Sequence, residues 1–381
     1  MEDLITRLTQ GLAGFTWQHL VMLIIGGVLI WLAIKKEYEP MLLLPIGFGA
    51  ILANIPLSSA VGIDGFLNVL YKAGIENELF PILIFIAVGA MIDFSPLLKK
   101  PVTLFFGAAA QFGIFAALFM VVGCNYIWPD LFQFSIREAA AIGIIGAADG
   151  PTSIYVGGLF APKYIGPITV AAYSYMSLVP LIQPPVIRAL TTKKERMIRM
   201  DTYTAVEVSK PVKILFPIVV TLVAGLIAPM SVSLVGSLMF GNLLRECGVL
   251  NRLSETAQNE LAYLVTLLLG ITIGATMKAD MFLKPETALI FGIGILAFVF
   301  DTAGGVLFAK FINLFLKKKV NPMIGAAGIS AFPMSARVIQ RMAQKEDPSN
   351  FILMPAIGAN VAGQIGSVIA GAVILAMLAA G

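Results

Sequence analysis

The chain has 381 residues, of which 58% are hydrophobic and only 13% charged, and its mean hydropathy is +0.90. Soluble domains carry about 25% charged residues, so this composition excludes a water-soluble globular fold. The net charge of +4, the two cysteines Cys124 and Cys247 and the single His19 exclude a disulfide framework and a histidine-based metal cluster or nucleophile triad, and no nucleic-acid partner is expected.

Apolar runs long enough to cross a hydrocarbon layer of about 30 Å recur along the whole chain. Taken in order, the spacing predicts spans at 17–34, 41–57, 80–97, 102–124, 165–187, 213–230, 232–245, 260–277, 287–312 and 351–377. The first runs into Lys35 and Lys36 with no small-residue cleavage pattern and reads as a retained helix. Two further apolar stretches, 138–160 and 320–340, are interrupted by Gly, Pro and polar residues: Gly146-Ala-Ala-Asp149-Gly150-Pro151-Thr-Ser153 and Gly328-Ile-Ser330-Ala-Phe-Pro333-Met-Ser335. The Gly-to-Pro and Pro-to-Ser spacings are the same in both. Gly89-Ala-Met-Ile-Asp93 likewise pairs with Gly274-Ala-Thr-Met-Lys278, and Pro45-Ile-Gly-Phe-Gly-Ala pairs with Gly236-Ser-Leu-Met-Phe-Gly.

These pairs imply an all-α polytopic membrane protein built from an internal duplication. Its expected units are 1–187, a first repeat with an N-terminal helix; 188–212, a basic cytoplasmic linker; and 213–381, a second repeat. Arg188 to Lys213 and Lys310 to Lys345 each hold seven Lys or Arg. The positive-inside rule puts both on the cytoplasmic side only if 138–160 and 320–340 are re-entrant hairpins instead of crossings. Each repeat then crosses about five times, the repeats are inverted, and the hairpin tips meet near the midplane. That is the plan in which broken helices build an ion site in a transporter, and irregular backbone there must be buried in protein or line a watery cavity.

Asp149 is the strongest chemical signal. A carboxylate in mid-span costs about 2.5–3.5 kcal/mol on insertion scales, and Gly150 and Pro151 break the helix beside it, freeing carbonyls. Carboxylate, carbonyl and hydroxyl oxygens suit a hard cation such as Na⁺. Ser153 shares that tip, and Asn321, Ser330 and Ser335 offer neutral oxygens on the second hairpin. Arg337 can hold a carboxylate in a bidentate manner or snorkel to the membrane edge. Asn360 and Ser367 lie deep in the last span, as ligands or as interhelical glue. Tyr175, after the first hairpin, can relay a proton or simply fill the core. Asp301 is a second mid-span carboxylate, a cation ligand or a partner for a neighbouring helix.

Three segments carry a resemblance: Gly146-Ala-Ala-Asp-Gly-Pro-Thr-Ser-Ile-Tyr155, Gly325-Ala-Ala-Gly-Ile-Ser-Ala-Phe-Pro-Met-Ser-Ala-Arg337-Val and Asn360-Val-Ala-Gly-Gln-Ile-Gly-Ser367. In order and spacing they resemble the signature segments of the β subunits of biotin-dependent, sodium-translocating decarboxylases. The resemblance implies a multi-pass protein of the bacterial inner membrane. There, carboxybiotin arrives on a separate carrier and is decarboxylated with consumption of a periplasmic proton, while Na⁺ is exported. It implies Asp149 as Na⁺ ligand and coupling carboxylate, Tyr175 as proton donor, and Asn321, Gly325 and Ser330 along the Na⁺ path. It also implies Arg337 on the carboxybiotin or conduction path and Asn360 as a Na⁺ ligand.

The implied partners are a carboxyltransferase α subunit, a biotin carrier protein, a small membrane subunit (γ or δ) and further copies in a homo-oligomeric core. No Ala-Met-Lys-Met biotinylation motif occurs, so biotin must come on a partner. The chain is short beside oxaloacetate-type members, which leans the expectation to a methylmalonyl-CoA or glutaconyl-CoA system. A cation site that holds either a proton or Na⁺ would couple the two movements, and an empty, desolvated carboxylate favours proton capture. The competing reading is a Na⁺-coupled secondary transporter of a small organic anion; a non-catalytic anchor would have no reason to bury Asp149 and Asp301.

Overall fold

The computed structural model describes residues 11, 13–200 and 207–378; positions 1–10, 12, 201–206 and 379–381 of the expected units lie outside it. Every regular element among the described residues is helical. Among the described residues six helices are long and apolar enough to cross a bilayer, or up to eight if each of two bent pairs is one span, so the chain is a multi-pass membrane protein. The helices used below are α1 (Trp17–Lys35), α2 (Pro40–Ala53), α3 (Leu79–Met91), α4 (Thr103–Ala109), α5 (Phe112–Ile127), α6 (Ile136–Gly143), α7 (Gly150–Phe160) and α8 (Ile165–Leu190) in the first half. The second half contributes α9 (Lys210–Ile227), α10 (Ser237–Glu246), α11 (Ala262–Thr276), α12 (Pro285–Ile312), α13 (Met323–Ala326), α14 (Met334–Glu346) and α15 (Leu353–Leu378).

All ten expected stretches contain helix, but six are membrane-length helices and four depart from that in two ways. The span at 80–97 is a 13-residue helix, α3, that meets the preceding Ser59–Glu76 segment at 61°, and the span at 165–187 bends by 66° near Met176, where Pro180 cannot donate to the carbonyl one turn back. The spans at 41–57 and 232–245 are short. α2 has 14 residues, about 21 Å at the helical rise, and stops at Asn54, whose amide is committed elsewhere. Its Nδ2 donates to the carbonyls of Ala50 (2.8 Å) and Met277 (2.7 Å), and its Oδ1 accepts the Ala279 N–H (2.9 Å). Asn242 mirrors it, donating to the Ile92 carbonyl at 3.0 Å.

Helix contacts are exchanged reciprocally between the halves. α2 packs on α11 as α10 packs on α3, and α12 packs on α8 as α4 packs on α15. Within each half, α1 lies on α2 as α9 lies on α10.

Both interrupted stretches turn back on themselves. At the ends of the first, Glu138 and Lys163 form an ion pair at 2.8 Å, and the Arg137 guanidinium sits 6.0 Å from the centre of the Phe160 ring. A pair of residues flanking a crossing would be separated by the bilayer; these touch. The second stretch is closed by the segment after α8. Asn321, before it, donates to the carbonyls of Arg196 and Ile198 at 2.8 and 2.9 Å, and Asn350, after it, reaches the same two carbonyls at 3.5 and 3.3 Å. Arg196 also pairs with Glu346 at 2.8 Å, and Arg199 with Asp347 at 2.7 Å. The two hairpins open to opposite sides: Arg137 donates to the Leu378 carbonyl at the far end of α15, whereas Asn350 and the 191–200 segment lie at its start.

The hydrogen bond from Arg199, followed by those from Ser349, holds Asp347 down at about 2. A depressed carboxyl stabilises the anchored form above its ordinary value and loses that contribution only as pH falls through the folded value. Docking of the 191–200 segment is therefore predicted to be unchanged between about pH 5 and pH 8, measured as its resistance to limited proteolysis. Arg199→Ala should make it cleavable throughout that range. On a cysteine-free background, cysteines replacing Glu138 and Lys163 should react with an impermeant maleimide from the same face of the membrane. A cysteine replacing Ser349 should react from the opposite face; labelling of positions 138 and 163 from different faces would remove the first hairpin.

Candidate functional site: the crossing of two hairpin tips

The first tip is built around Asp149. A 3₁₀ turn, Ile144–Ala147, ends at Ala148 with φ 51°, a left-handed conformation that reverses the chain. Asp149 follows as the N-cap of α7, with Pro151 in the first turn, where its missing N–H costs little. The carboxylate makes no capping bond. Its Oδ2 instead accepts the Thr152 hydroxyl at 2.6 Å and lies 2.7 Å from Ser367 Oγ. Ser367 Oγ is also 3.0 Å from the Gln364 carbonyl, so its single proton serves one of these two acceptors. Ser153 Oγ donates to the Asp149 carbonyl at 2.8 Å. The Tyr173 ring covers Gly150 so closely that a Cβ there would overlap it.

The second tip is held against α15 and against the first. The Ser330 N–H donates to the Ala147 carbonyl at 3.2 Å, a direct bond between the tips. Asn360 Nδ2 donates to the Ile329 carbonyl at 2.6 Å, Ser330 Oγ donates to the Gly363 carbonyl at 2.8 Å, and the Gln364 amide donates to the Ser330 carbonyl. Asn360, Gly363, Gln364 and Ser367 recur at i, i+3, i+4 and i+7 and share one face of α15. Glycines permit the approach: a Cβ on Gly363 would run into the Gly328 backbone, and Gly305 and Gly325 exclude Cβ atoms from each other.

The residues singled out in the sequence therefore fall into groups. Asp149, Ser153, Ser330, Asn360 and Ser367 gather where the tips cross, all buried. Ser335 and Gln183 form a neighbouring polar cluster, with Ser335 Oγ 3.0 Å from Gln183 Oε1 and both side chains reaching the Ala326 carbonyl. Gly325 is a packing contact with α12. Asn321 lies at the mouth of the second hairpin, holding the 191–200 segment. Tyr175 is buried, but its hydroxyl donates to the Phe291 carbonyl on α12 at 2.6 Å instead of to the crossing. Arg337 is exposed on α14. Asp301 is buried on α12, bonded to the Gly113 N–H.

Thr152, Gln364, Gln183 and Tyr173 were missed in the sequence. Thr152 and Gln364 stand inside the quoted motifs, and the i+4 spacing of Asn360 to Gln364 was the signal for the latter. Gln183, between Pro180 and Pro184, and Tyr173 carry no comparable signal.

Among the described residues no three His, Cys, Asp or Glu side chains come together. The donors at the crossing are one carboxylate with neutral hydroxyl, amide and carbonyl oxygens. One of them, Asn360 Oδ1, is buried without a hydrogen-bond partner among the described residues. Oxygen-only donors with a single formal charge match a monovalent hard cation better than a divalent one.

Comparison with known proteins agrees. Residues 18–378 match the family model of the Na⁺-transporting oxaloacetate decarboxylase beta subunit. The chain belongs to this family. It is 51% identical to the methylmalonyl-CoA decarboxylase subunit beta of Veillonella parvula, over 97% of this chain and 95% of that one. Identity to the glutaconyl-CoA decarboxylase subunit beta of Acidaminococcus fermentans is 50%, over 99% of both. The oxaloacetate decarboxylase beta chain 2 of Salmonella typhi is 46% identical, over 93% of this chain and 94% of that one. This β subunit is thus a component of a multi-subunit, Na⁺-pumping decarboxylase, and membership decides against the solitary anion transporter.

Thr152→Val removes a hydrogen bond to Asp149 Oδ2, and Ser367→Ala removes a second when the serine gives its proton to that oxygen, each worth about 1.5–3 kcal/mol when the partner is charged. Because both act on Oδ2, the double variant is predicted to lose less than the sum, with a coupling of about 0.5–3 kcal/mol. Thermal unfolding of the purified complex in Na⁺ measures it; strict additivity would separate the two hydroxyls.

Proposed function

We propose that this β subunit decarboxylates carboxybiotin delivered by a carrier subunit and couples that step to export of Na⁺ across a bacterial inner membrane. The observation that carries the reading is the direct bond between the two hairpin tips beside a buried carboxylate that holds two hydroxyls. Asp149, Thr152, Ser367 and Asn360 bind Na⁺ at or next to the crossing, and Asn321, Gly325 and Ser330 belong to the hairpin along which it travels. The reciprocal helix pairing supports two inverted repeats, residues 1–187 and 213–381, joined by a basic linker at 188–212 on the cytoplasmic side. Each hairpin then opens to one aqueous phase, and the crossing is the barrier between them.

One group comes from outside the chain: carboxybiotin supplies a carboxylate that leaves as CO₂ once it is desolvated and its ureido nitrogen gains a proton. The Arg337 side chain is exposed, has no hydrogen bond or ion pair among the described residues, and lies one turn beyond Pro333 at the tip end of α14, so it suits a carboxylate that has entered along the second hairpin. Tyr175 donates the proton, which requires it to release the Phe291 carbonyl. Asp149 accepts either a proton or Na⁺, so the arrival of one expels the other and links proton uptake to Na⁺ release. The carboxyltransferase and the carrier act on the linker side, a small membrane subunit completes the complex, and copies of this chain form its core. The higher identity to the two acyl-CoA relatives supports a methylmalonyl-CoA or glutaconyl-CoA system.

The test is CO₂ release from free carboxybiotin by the purified complex with and without Na⁺. Wild type should be stimulated by Na⁺, and Asp149→Asn should lose that stimulation together with ²²Na⁺ uptake into liposomes. Equal Na⁺ stimulation in both proteins would remove Asp149 from the coupling site.

A further inference from the structure

Asp301 takes no part in the crossing, yet it is the more isolated of the two buried carboxyls. It is fully buried in the middle of α12. Its Oδ1 accepts the Gly113 N–H at 2.5 Å, so a side chain from another helix supplies the cap that Gln111 does not give α5. Its Oδ2 is buried and has no hydrogen-bond partner among the described residues. Two glycines press on the carboxyl: a Cβ on Gly113 would stand 2.5 Å from Oδ1, and a Cβ on Gly146 would stand 3.0 Å from Oδ2.

Gly146 belongs to the first hairpin, three residues before Asp149. One helical turn beyond Asp301, Gly305 meets Gly325 of the second hairpin. α12 is therefore a spine shared by both hairpins, and Asp301 stands where it meets the first. The facing segments 111–117 and 142–147 contain no ionisable side chain, and along α12 the other charged residues are Glu286 and Lys310, at its two ends.

An unpartnered carboxylate oxygen in such surroundings is costly unless it gains a proton or a cation. A cation needs several oxygen ligands. The neighbouring hydroxyl, Thr302, is committed to the Phe298 carbonyl at 3.0 Å, and the glycine contacts leave little space. A proton needs neither ligands nor room. We propose that Asp301 is a second ion-binding carboxyl whose ligand is a proton, and that its loading and unloading during turnover set how the first hairpin sits on α12. The step is a simple exchange, carboxylate plus proton to carboxylic acid, with no other bond made or broken. It rests on the Na⁺-pump reading only for its trigger, Na⁺ arriving at Asp149.

Infrared difference spectroscopy on the purified complex tests this in two arms. A pH jump without Na⁺ should give a protonated-carboxyl C=O band that is absent in Asp301→Asn. Adding Na⁺ at fixed pH should perturb the same band in wild type but not in Asp301→Asn. Asparagine keeps an oxygen for the Gly113 N–H at nearly the same volume, and size-exclusion chromatography checks assembly. Should that variant fail to assemble, Gly146→Ala, which crowds Oδ2, must shift the band without deleting it; an unmoved band overturns the proposal. Turnover of Asp301→Asn should fall at least about tenfold, with Na⁺ affinity within about twofold of wild type. A pH-jump spectrum and turnover identical to wild type would make Asp301 a cap only and overturn the proposal. A pH-jump band assigned to Asp301 without any Na⁺-induced change in wild type would overturn its coupling to turnover, whereas loss of ²²Na⁺ binding to wild type, read separately, would fault the Na⁺ site at Asp149.

Discussion

A membrane interior offers no water to an unpaired backbone group, and this fold depends on how it meets that constraint where its helices break. Several of these breaks are closed by a side-chain amide or hydroxyl. Asn360 and Gln364 take the Ile329 and Ser330 carbonyls, Gln183 and Ser335 take that of Ala326, and Asn54 and Asn242 take those of Met277 and Ile92. Where the hairpins cross, two breaks satisfy each other directly, Ser330 N–H to Ala147 carbonyl. Broken backbone is thereby turned into a rigid lattice of oxygens around Asp149. In the proposed pump, these structural carbonyls and hydroxyls also serve as the ligands of a small cation.

Much of this was legible in the chain. Paired Gly-Pro-Ser spacings marked both hairpins, and charge placement said that each must return to its own side; the Glu138–Lys163 ion pair and the shared Asn321 and Asn350 contacts are the structural expression of that inference. Asp149 was visible because a mid-span carboxylate is rare. What the chain hid is tertiary. Ser367 and Asp149 are 218 residues apart and meet only after α15 docks. The shortness of α2 depends on Asn54 reaching across to Met277. Where Tyr175 points is set by α12, since a tyrosine facing the Phe291 carbonyl and one facing the crossing read alike in sequence.

The same geometry suggests how two ions could be managed by a single scaffold. α12 touches the first hairpin at Gly146 and the second at Gly325, and in the proposed pump it links the two tips. Small residues at these contacts make the packing close and intolerant of intermediate positions, which favours a few discrete arrangements over continuous drift. In the proposed pump, energy from carboxyl loss would enter at the Arg337 side of the second hairpin, and its effect would be read at Asp149 on the first.

The most direct test of the account is equilibrium binding of ²²Na⁺ to the purified β subunit as a function of pH. If one carboxylate holds either a proton or Na⁺, the apparent Kd should weaken by about tenfold for each unit of falling pH once the site is protonated, and Asp149→Asn should abolish binding at every pH. A Kd independent of pH, or binding that survives in Asp149→Asn, would contradict a shared proton and Na⁺ site at the crossing of the hairpins.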